Sequence, residues 1–185
     1  MINIKLDVEK IFQQRLAESM GLDKYRFIMD DIQNTDISCD DDFKRTFNGF
    51  YIVRRNKEWR KIFYTYFERI KNDIPSFENI ITYLYENTGN LEPSFASKML
   101  ATISPNKPIW DRYVVQNLQL KLEGKTKQEK LKHAVKLYED MEQWYLDFLQ
   151  TDKARKCIEI FDRTLPDYQW LSEVKKVDCI LWSIR

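Results

Sequence analysis

We predict an all-α fold of about nine or ten helices from three features of the amino-acid sequence. Apolar residues recur at helical spacing along most of the chain, and no segment has the alternation of a half-buried strand. Glycine is scarce, at 4 of 185 residues, which disfavours turn-rich sandwiches and barrels. The length suits one domain, and no linker interrupts it. We therefore predict a single all-helical domain over residues 1–185, with one core or with two lobes that share it.

The helices predicted in the first half of the chain have recognisable end signals. Gly21 is suited to end the first helix as a C-terminal cap. Asn56 and Ser76 precede strongly periodic segments and are typical N-terminal positions, and Gly89 ends the second of these segments. The aspartates at 40–42 favour a helix start through the helix dipole. The predicted segments are 7–20, 22–34, 43–51, 57–70 and 77–88.

The second half of the chain has comparable signals. Ser94 is expected to cap a short helix, and Pro108 suits the first turn of the next one. Thr126 with Glu129 forms a capping box at the start of the longest helix. Pro166 is expected to end the helix before it. The predicted segments are 95–103, 109–122, 127–150, 153–165 and 172–184.

Composition excludes several functional classes. Lys and Arg total 30 and Asp and Glu total 29, so a basic surface must be a local patch. Cys39, Cys157 and Cys179 lack the paired spacing of a disulfide framework or of a metal site. The single histidine, His133, has no evident nucleophile or orienting partner. No signal-peptide pattern and no long apolar span occur. We expect a cytoplasmic protein without cofactor, metal or membrane association.

A basic run from Arg54 to Lys61 is the strongest local charge feature. On a helix its cations lie largely on one side, where they could contact a phosphate backbone. An ordinary solvated helix face would have the same composition. Both interpretations stay open at the level of the sequence. The many aromatic residues between 43 and 67, and Trp182 near the end of the chain, are expected to pack in the core.

The segment 89–115, GNLEPSFASKMLATISPNKPIWDRYVV, is the most informative about function. It predicts a turn, a short helix, a short link and an aspartate in the first turn of a new helix. It resembles the active-site region of the helix-hairpin-helix DNA glycosylases, which have an alanine-containing helix and then a proline–x–x–aspartate step followed by a valine. The matching residues are Ala96, Pro108, Asp111 and Val114. The resemblance implies that family's two-lobed helical architecture, with duplex DNA as the partner.

The resemblance also implies a chemistry. Asp111 would stabilise the oxocarbenium-like sugar that forms when an N-glycosidic bond breaks, and would orient the attacking water. Trp110 and Tyr113 could form the wall of a pocket for the flipped base. Lyase-competent members have a lysine two residues before the alanine, where this chain has Ser94. The implied activity is therefore that of a monofunctional N-glycosylase without a lyase step.

Six residues are expected to contact the phosphate backbone of the DNA, but the hairpin that holds a phosphate in the family is altered in this chain. The family's hairpin is similar to L-P-G-x-G, whose amides hold a phosphate, whereas this chain has N-L-E-P. Pro93 has no N–H to donate there, and Glu92 adds a negative charge. The predicted nucleic-acid contacts are Arg54, Arg55, Lys57, Ser94, Lys98 and Arg112.

Two alternatives remain beside base excision. The chain could keep the fold without catalysis and bind nucleic acid or a protein partner. It could also be an unrelated helical interaction module. In that case Pro108 and Asp111 would mark only a helix start, since proline in the first turn and an acid beside it are both favourable there.

Overall fold

The structure is a computed structural model that describes residues 21–73 and 75–183. Within these ranges it contains nine α-helices and no strand, which confirms an all-α fold of about nine helices. A short 3-10 turn, Pro166–Tyr168, follows the eighth helix. In chain order the helices are α1 (Leu22–Asp31), α2 (Asp41–Tyr51), α3 (Lys57–Ile70), α4 (Phe77–Thr88), α5 (Pro93–Ile103), α6 (Arg112–Asn117), α7 (Lys127–Leu149), α8 (Asp152–Thr164) and α9 (Glu173–Ser183).

The chain divides into two compact units. The first unit contains α1 to α5, within residues 21–104, and the second unit contains α6 to α9, within residues 105–183. The helix predicted over residues 7–20 lies outside the described residues. Gly21, the residue expected to end it, has a φ of 69° and precedes α1. Such a backbone conformation favours glycine.

Most of the predicted helix ends are confirmed by side-chain caps. Asn56 accepts a hydrogen bond from the backbone N–H of Trp59 at the start of α3. Reciprocal capping boxes begin α4 at Ser76 and α7 at Thr126. Asp40 caps α2, as expected for that acidic run. These ends are local, because each cap joins residues three apart.

Two predicted helix starts are wrong. The helix expected at Ser94 begins at Pro93, and its N-cap residue is Glu92, without a side-chain cap. The fixed φ of Pro93 suits the first helical turn and moves the start upstream. The helix expected over 109–122 is reduced to α6, which begins after Asp111. Residues 108–110 form a non-helical link instead, in which the carbonyl of Pro108 and the N–H of Ile109 form hydrogen bonds with side chains of other helices.

Aromatic side chains form the core of the first unit. Phe47 lies at the centre, fully buried, and contacts five other rings of α2 and α3. These rings are Phe43, Tyr51, Phe63, Tyr64 and Phe67. The expectation that the aromatic residues of this region are core residues is confirmed. The two helices are therefore joined by apolar contacts on their inner faces, which leaves the charged residues outside.

The second unit buries polar groups as well as apolar ones. Helix α7 contributes an apolar stripe that includes Leu131, Ala134 and Met141. Helix α9 is buried almost along its whole length, and its buried residues include Lys176 and Asp178. A buried charge needs a partner, and Lys176 pairs with Asp162 of α8 at 2.6 Å. The role of Asp178 is described below.

Candidate functional site

Asp111 is the N-cap residue of α6. Its Oδ1 accepts a hydrogen bond from the backbone N–H of Tyr113 at 2.9 Å. The side chain is half-buried. Its second oxygen, Oδ2, accepts no hydrogen bond from any residue that the structure describes. The helix start therefore occupies one carboxylate oxygen and leaves the other for a ligand.

The link that leads into Asp111 is held by side chains from two other helices. We call residues 105–111 the anchored loop. The hydroxyl of Tyr138 donates to the carbonyl of Pro108 at 2.8 Å. The carboxylate of Asp178 accepts from the backbone N–H of Ile109 at 3.2 Å. Each bond satisfies a backbone group of the loop that no helix pairs.

The beginning of the anchored loop has two further attachments. Ser172 donates its hydroxyl to the carbonyl of Pro105 at 2.6 Å. Lys107 forms an ion pair with Glu142 of α7 at 2.8 Å. The position of Asp111 is thus set by contacts at four points of the preceding loop. A helix of six residues is not stable on its own, so contacts with the rest of the unit must hold it and the loop before it in place.

Asp178 is the buried centre of this support. Burial raises the pKa of its carboxyl to about 7. Lys175 and the two hydrogen bonds, from Tyr145 and Ile109, act in the opposite direction, and the negative charge of Asp111 raises the pKa slightly further. Burial also raises the pKa of Tyr145 well above its usual value. The hydroxyl of Tyr145 is therefore protonated and donates to Asp178.

The aromatic surface beside Asp111 differs from the expected one. Trp110 is buried, with 8% of its surface exposed, so its ring belongs to the interior and is not an open wall. Tyr113 is half-buried, and Trp182 of α9 meets it edge to face with the ring centroids 6.5 Å apart. Arg112 is exposed and lies 5.9 Å from the ring of Tyr113. Tyr113 and Trp182 are the half-exposed rings of this region.

Sequence analysis missed Trp182 as a site residue because it was expected in the core. Its proximity to Tyr113 depends on how α9 packs against α6. The amide Nδ2 of Asn117 donates to the carbonyl of Leu181 at 2.9 Å and fixes that packing beside the ring. Tyr113 and Trp182 are far apart in the sequence, so residue spacing alone could not predict that their rings meet.

Two of the predicted phosphate contacts in the first unit make internal contacts. Arg55 forms an ion pair with Glu92 at 2.7 Å and lies 5.3 Å from the ring of Phe95. Lys98 donates its Nζ to the carbonyl of Tyr51 at 3.1 Å. These contacts position the start of α5 within the first unit. Either cation would have to exchange these contacts to hold a phosphate.

The stretch that corresponds to the family's hairpin is closed rather than open. The side chain of Glu92 is buried, with 6% exposed, and faces Arg55. Pro93 follows as the first residue of α5, and Ser94 lies half-buried in the first turn. A buried carboxylate and a proline provide no row of free amides. The phosphate grip of the hairpin is therefore not reproduced at this position.

Two further predicted phosphate contacts of the first unit, Arg54 and Lys57, differ in their surroundings. Arg54 is exposed and forms no ion pair with a described residue. Lys57 instead lines a cavity of about 580 Å³ between α2 and α3, which we call the basic cavity. Its five cations are Lys44, Arg45, Lys57, Arg60 and Lys61. The basic run predicted to face a phosphate thus contributes three of its members to one cavity.

Among residues 21–73 and 75–183 no group of three potential metal-ligating side chains occurs, and no described helix is long and apolar enough to cross a membrane. His133 accepts or donates hydrogen bonds only at the backbone of Glu123, where it closes a loop. Comparison with protein-family models, curated proteins and solved structures finds no match for this chain.

Proposed function

We propose that this protein binds nucleic acid and cleaves the N-glycosidic bond of a flipped nucleotide, with Asp111 as the carboxylate at the sugar. The observation that supports this most strongly is the anchored loop. Tyr138 donates to the carbonyl of Pro108 and Asp178 accepts from the N–H of Ile109, which fixes the chain that leads into Asp111, while Oδ2 of Asp111 accepts no hydrogen bond from a described residue. A carboxylate that is held before the reaction needs no reorganisation when charge develops beside it.

The chemistry needs one carboxylate and one water molecule. The bond between the base and the sugar breaks, and its electron pair leaves with the base, which takes up a proton. Positive charge develops on the sugar, where the negative charge of Asp111 stabilises it. Water then adds to the sugar carbon and gives up a proton. The products are a free base and an abasic sugar.

The aromatic pair beside Asp111 could receive the extruded base. A flipped base is held by stacking on aromatic rings and by polar contacts to its edge. Tyr113 and Trp182 are half-buried, so each keeps part of its ring accessible. Arg112 lies on the same helix start and is exposed, where a phosphate next to the flipped nucleotide could pair with it.

The test is the release of free bases from damaged duplex DNA. Separate duplexes with alkylated, oxidised or deaminated bases are incubated with the protein, and released bases are measured by chromatography. We expect release from at least one class by the native protein and none by Asp111→Asn. Asp30→Asn, which changes an exposed carboxylate of the first unit, is the control and should keep the activity. Equal release by Asp111→Asn would contradict the assignment.

A second candidate function is nucleic-acid binding without catalysis. It is favoured by the closed hairpin position, where Glu92 and Pro93 replace the expected phosphate grip. In that case no duplex of the panel releases a base, yet duplex DNA binds with an affinity that falls as salt rises. Arg54→Glu, at an exposed position without an ion pair to any described residue, should then weaken binding. Unchanged binding by this variant, or no binding at low salt, would exclude the second candidate as well.

A further inference from the structure

The basic cavity of the first unit is formed by one face of each of two helices. Helix α2 contributes Asp41, Lys44, Arg45 and Asn48. Helix α3 contributes Lys57, Arg60, Lys61 and Tyr64. Both sets follow the spacing i, i+3, i+4 and i+7, which places their members on one side of a helix. Two continuous polar faces thus line the same space.

Positive charge in the cavity is compensated only on the α2 side. Lys44 pairs with Asp41 at 2.9 Å, and Arg45 pairs with Asp42. On the α3 side, Lys57, Arg60 and Lys61 form no ion pair with any described residue. Like charges at such spacing on one helix repel each other. An anion in the cavity would remove that repulsion.

Two hydrogen-bond donors of the cavity also lack partners among the described residues. The Nε atom of Arg60 is buried and makes no hydrogen bond. Tyr64, of which 1% is exposed, donates its hydroxyl to Oδ1 of Asn48 at 2.9 Å. Burial raises the pKa of Tyr64 well above its usual value, so this hydroxyl stays protonated. The bond leaves the Nδ2 donor of Asn48 for a ligand. A buried donor without a partner, such as Nε of Arg60, is unfavourable unless a ligand satisfies it.

The size and lining of the cavity indicate the class of ligand. Its volume of about 580 Å³ lies within the usual range for small-molecule sites. The ring of Tyr64 faces the core, where it meets Phe47 and Phe63, so no open aromatic face is offered to a base. The ligand must therefore be recognised by its charge. Arginine forks and lysine point charges are the residues that bind phosphate groups.

We propose that the basic cavity is a binding site for two or more linked phosphate groups, held mainly by Lys57, Arg60 and Lys61 of α3. The phosphates could belong to a nucleic-acid strand or to a free oligophosphate, because both present the same anionic groups. The site is independent of Asp111, so it can be confirmed or excluded whether or not the protein cleaves glycosidic bonds.

The test is calorimetric titration with inorganic triphosphate at low and moderate salt. We expect binding by the native protein and an affinity at least about tenfold lower for the double variant Lys57→Gln/Lys61→Gln. Both lysines are exposed, so the variant should fold. The control is Lys125→Gln/Lys132→Gln, which removes the same charge from exposed positions that form no ion pair within the described part of the chain. Absence of triphosphate binding, or an equal loss in both double variants, would overturn the proposal.

A competition experiment identifies the source of the phosphates. A single-stranded oligonucleotide is added to the protein saturated with triphosphate. Displacement of triphosphate supports the site and assigns it to a nucleic-acid strand. Retention of triphosphate also supports the site and assigns it to a free oligophosphate.

Discussion

The two units of this protein use polar residues in opposite ways. In the first unit the interior is made of aromatic rings around Phe47, and the charged residues of the same helices line an open cavity. In the second unit polar groups lie inside, where Asp178, Tyr138 and Tyr145 bind one another or the backbone of the anchored loop. The first unit therefore offers charge to a ligand, whereas the second unit uses buried polar groups to position one half-buried carboxylate.

This difference has consequences for stability. Buried apolar rings contribute in proportion to the surface that they remove from water, and their loss leaves a cavity. A buried hydrogen bond contributes less on balance, but breaking it leaves an unsatisfied group. Substitutions in the two units should therefore differ in size and in pH dependence.

The largest effect is expected for Phe47→Ala. This change removes the ring at the centre of the aromatic cluster and should lower the free energy of unfolding by roughly 3–5 kcal/mol. Phe27→Ala is the control, since 38% of Phe27 is exposed, and it should cost less than about 1.5 kcal/mol. Urea denaturation measures both values. A cost for Phe47→Ala no greater than that for Phe27→Ala would show that the cluster does not stabilise the first unit.

The second largest effect is expected in the pH dependence of the free energy of unfolding, which the titration of Asp178 produces. Its pKa is about 7 in the folded protein and near 3.8 in an unfolded chain, so the folded state binds a proton that the unfolded state releases. Stability should therefore fall as the pH rises from about 4 to about 7, by an amount on the order of 2–4 kcal/mol. Asp178→Asn removes this titration. Measured against the variant, the native protein should lose stability across that range, and parallel pH profiles would contradict the burial of a protonated carboxyl.

A smaller effect is expected for Tyr145→Phe. The variant removes the hydroxyl that donates to Asp178 and should cost about 1–3 kcal/mol, because the buried carboxyl loses a donor. Tyr85→Phe is the matched control, since the Tyr85 hydroxyl makes no hydrogen bond with a described residue, and its cost should stay within about 0.5 kcal/mol. Equal unfolding free energies for the two variants would show that the buried bond does not support the anchored loop.

The smallest change in stability is expected for Asp111→Asn. Asparagine caps helices about as well as aspartate, so the free energy of unfolding should change by less than about 1 kcal/mol. Asp111→Ala, which removes the cap, should cost about 1 kcal/mol. A much larger loss in thermal or urea denaturation of Asp111→Asn would show that the carboxylate is structural.

The sequence predicted local features well and long-range ones poorly. The starts of α3, α4 and α7 were predictable because caps and periodicity act within one or two turns. The helix expected over 109–122 was too long, since the backbone of Pro108 and Ile109 forms hydrogen bonds with Tyr138 and Asp178, which lie about 30 and 70 positions further along the chain. Such bonds override local propensity and leave no pattern around Ile109.

The candidate sites show the same limit. Asp111 was identified from its own neighbourhood, and its N-cap geometry follows from the local sequence. Trp110 is buried and Trp182 is half-buried, the reverse of the expectation, because burial depends on packing between residues that are distant in the sequence. Only one of the two helix faces that line the basic cavity was predictable from the sequence. The run from Arg54 to Lys61 predicted one charged face, but nothing in the sequence pairs it with Lys44.

The most direct test of the central claim is a binding titration with two otherwise identical DNA duplexes, one intact and one with an abasic-site analogue, at low and moderate salt. If Asp111 and its aromatic neighbours form a site for the sugar of an extruded nucleotide, the protein binds the abasic duplex more tightly, and the affinity for both duplexes falls as salt rises. Equal affinity for the two duplexes, or no binding at low salt, would contradict this account.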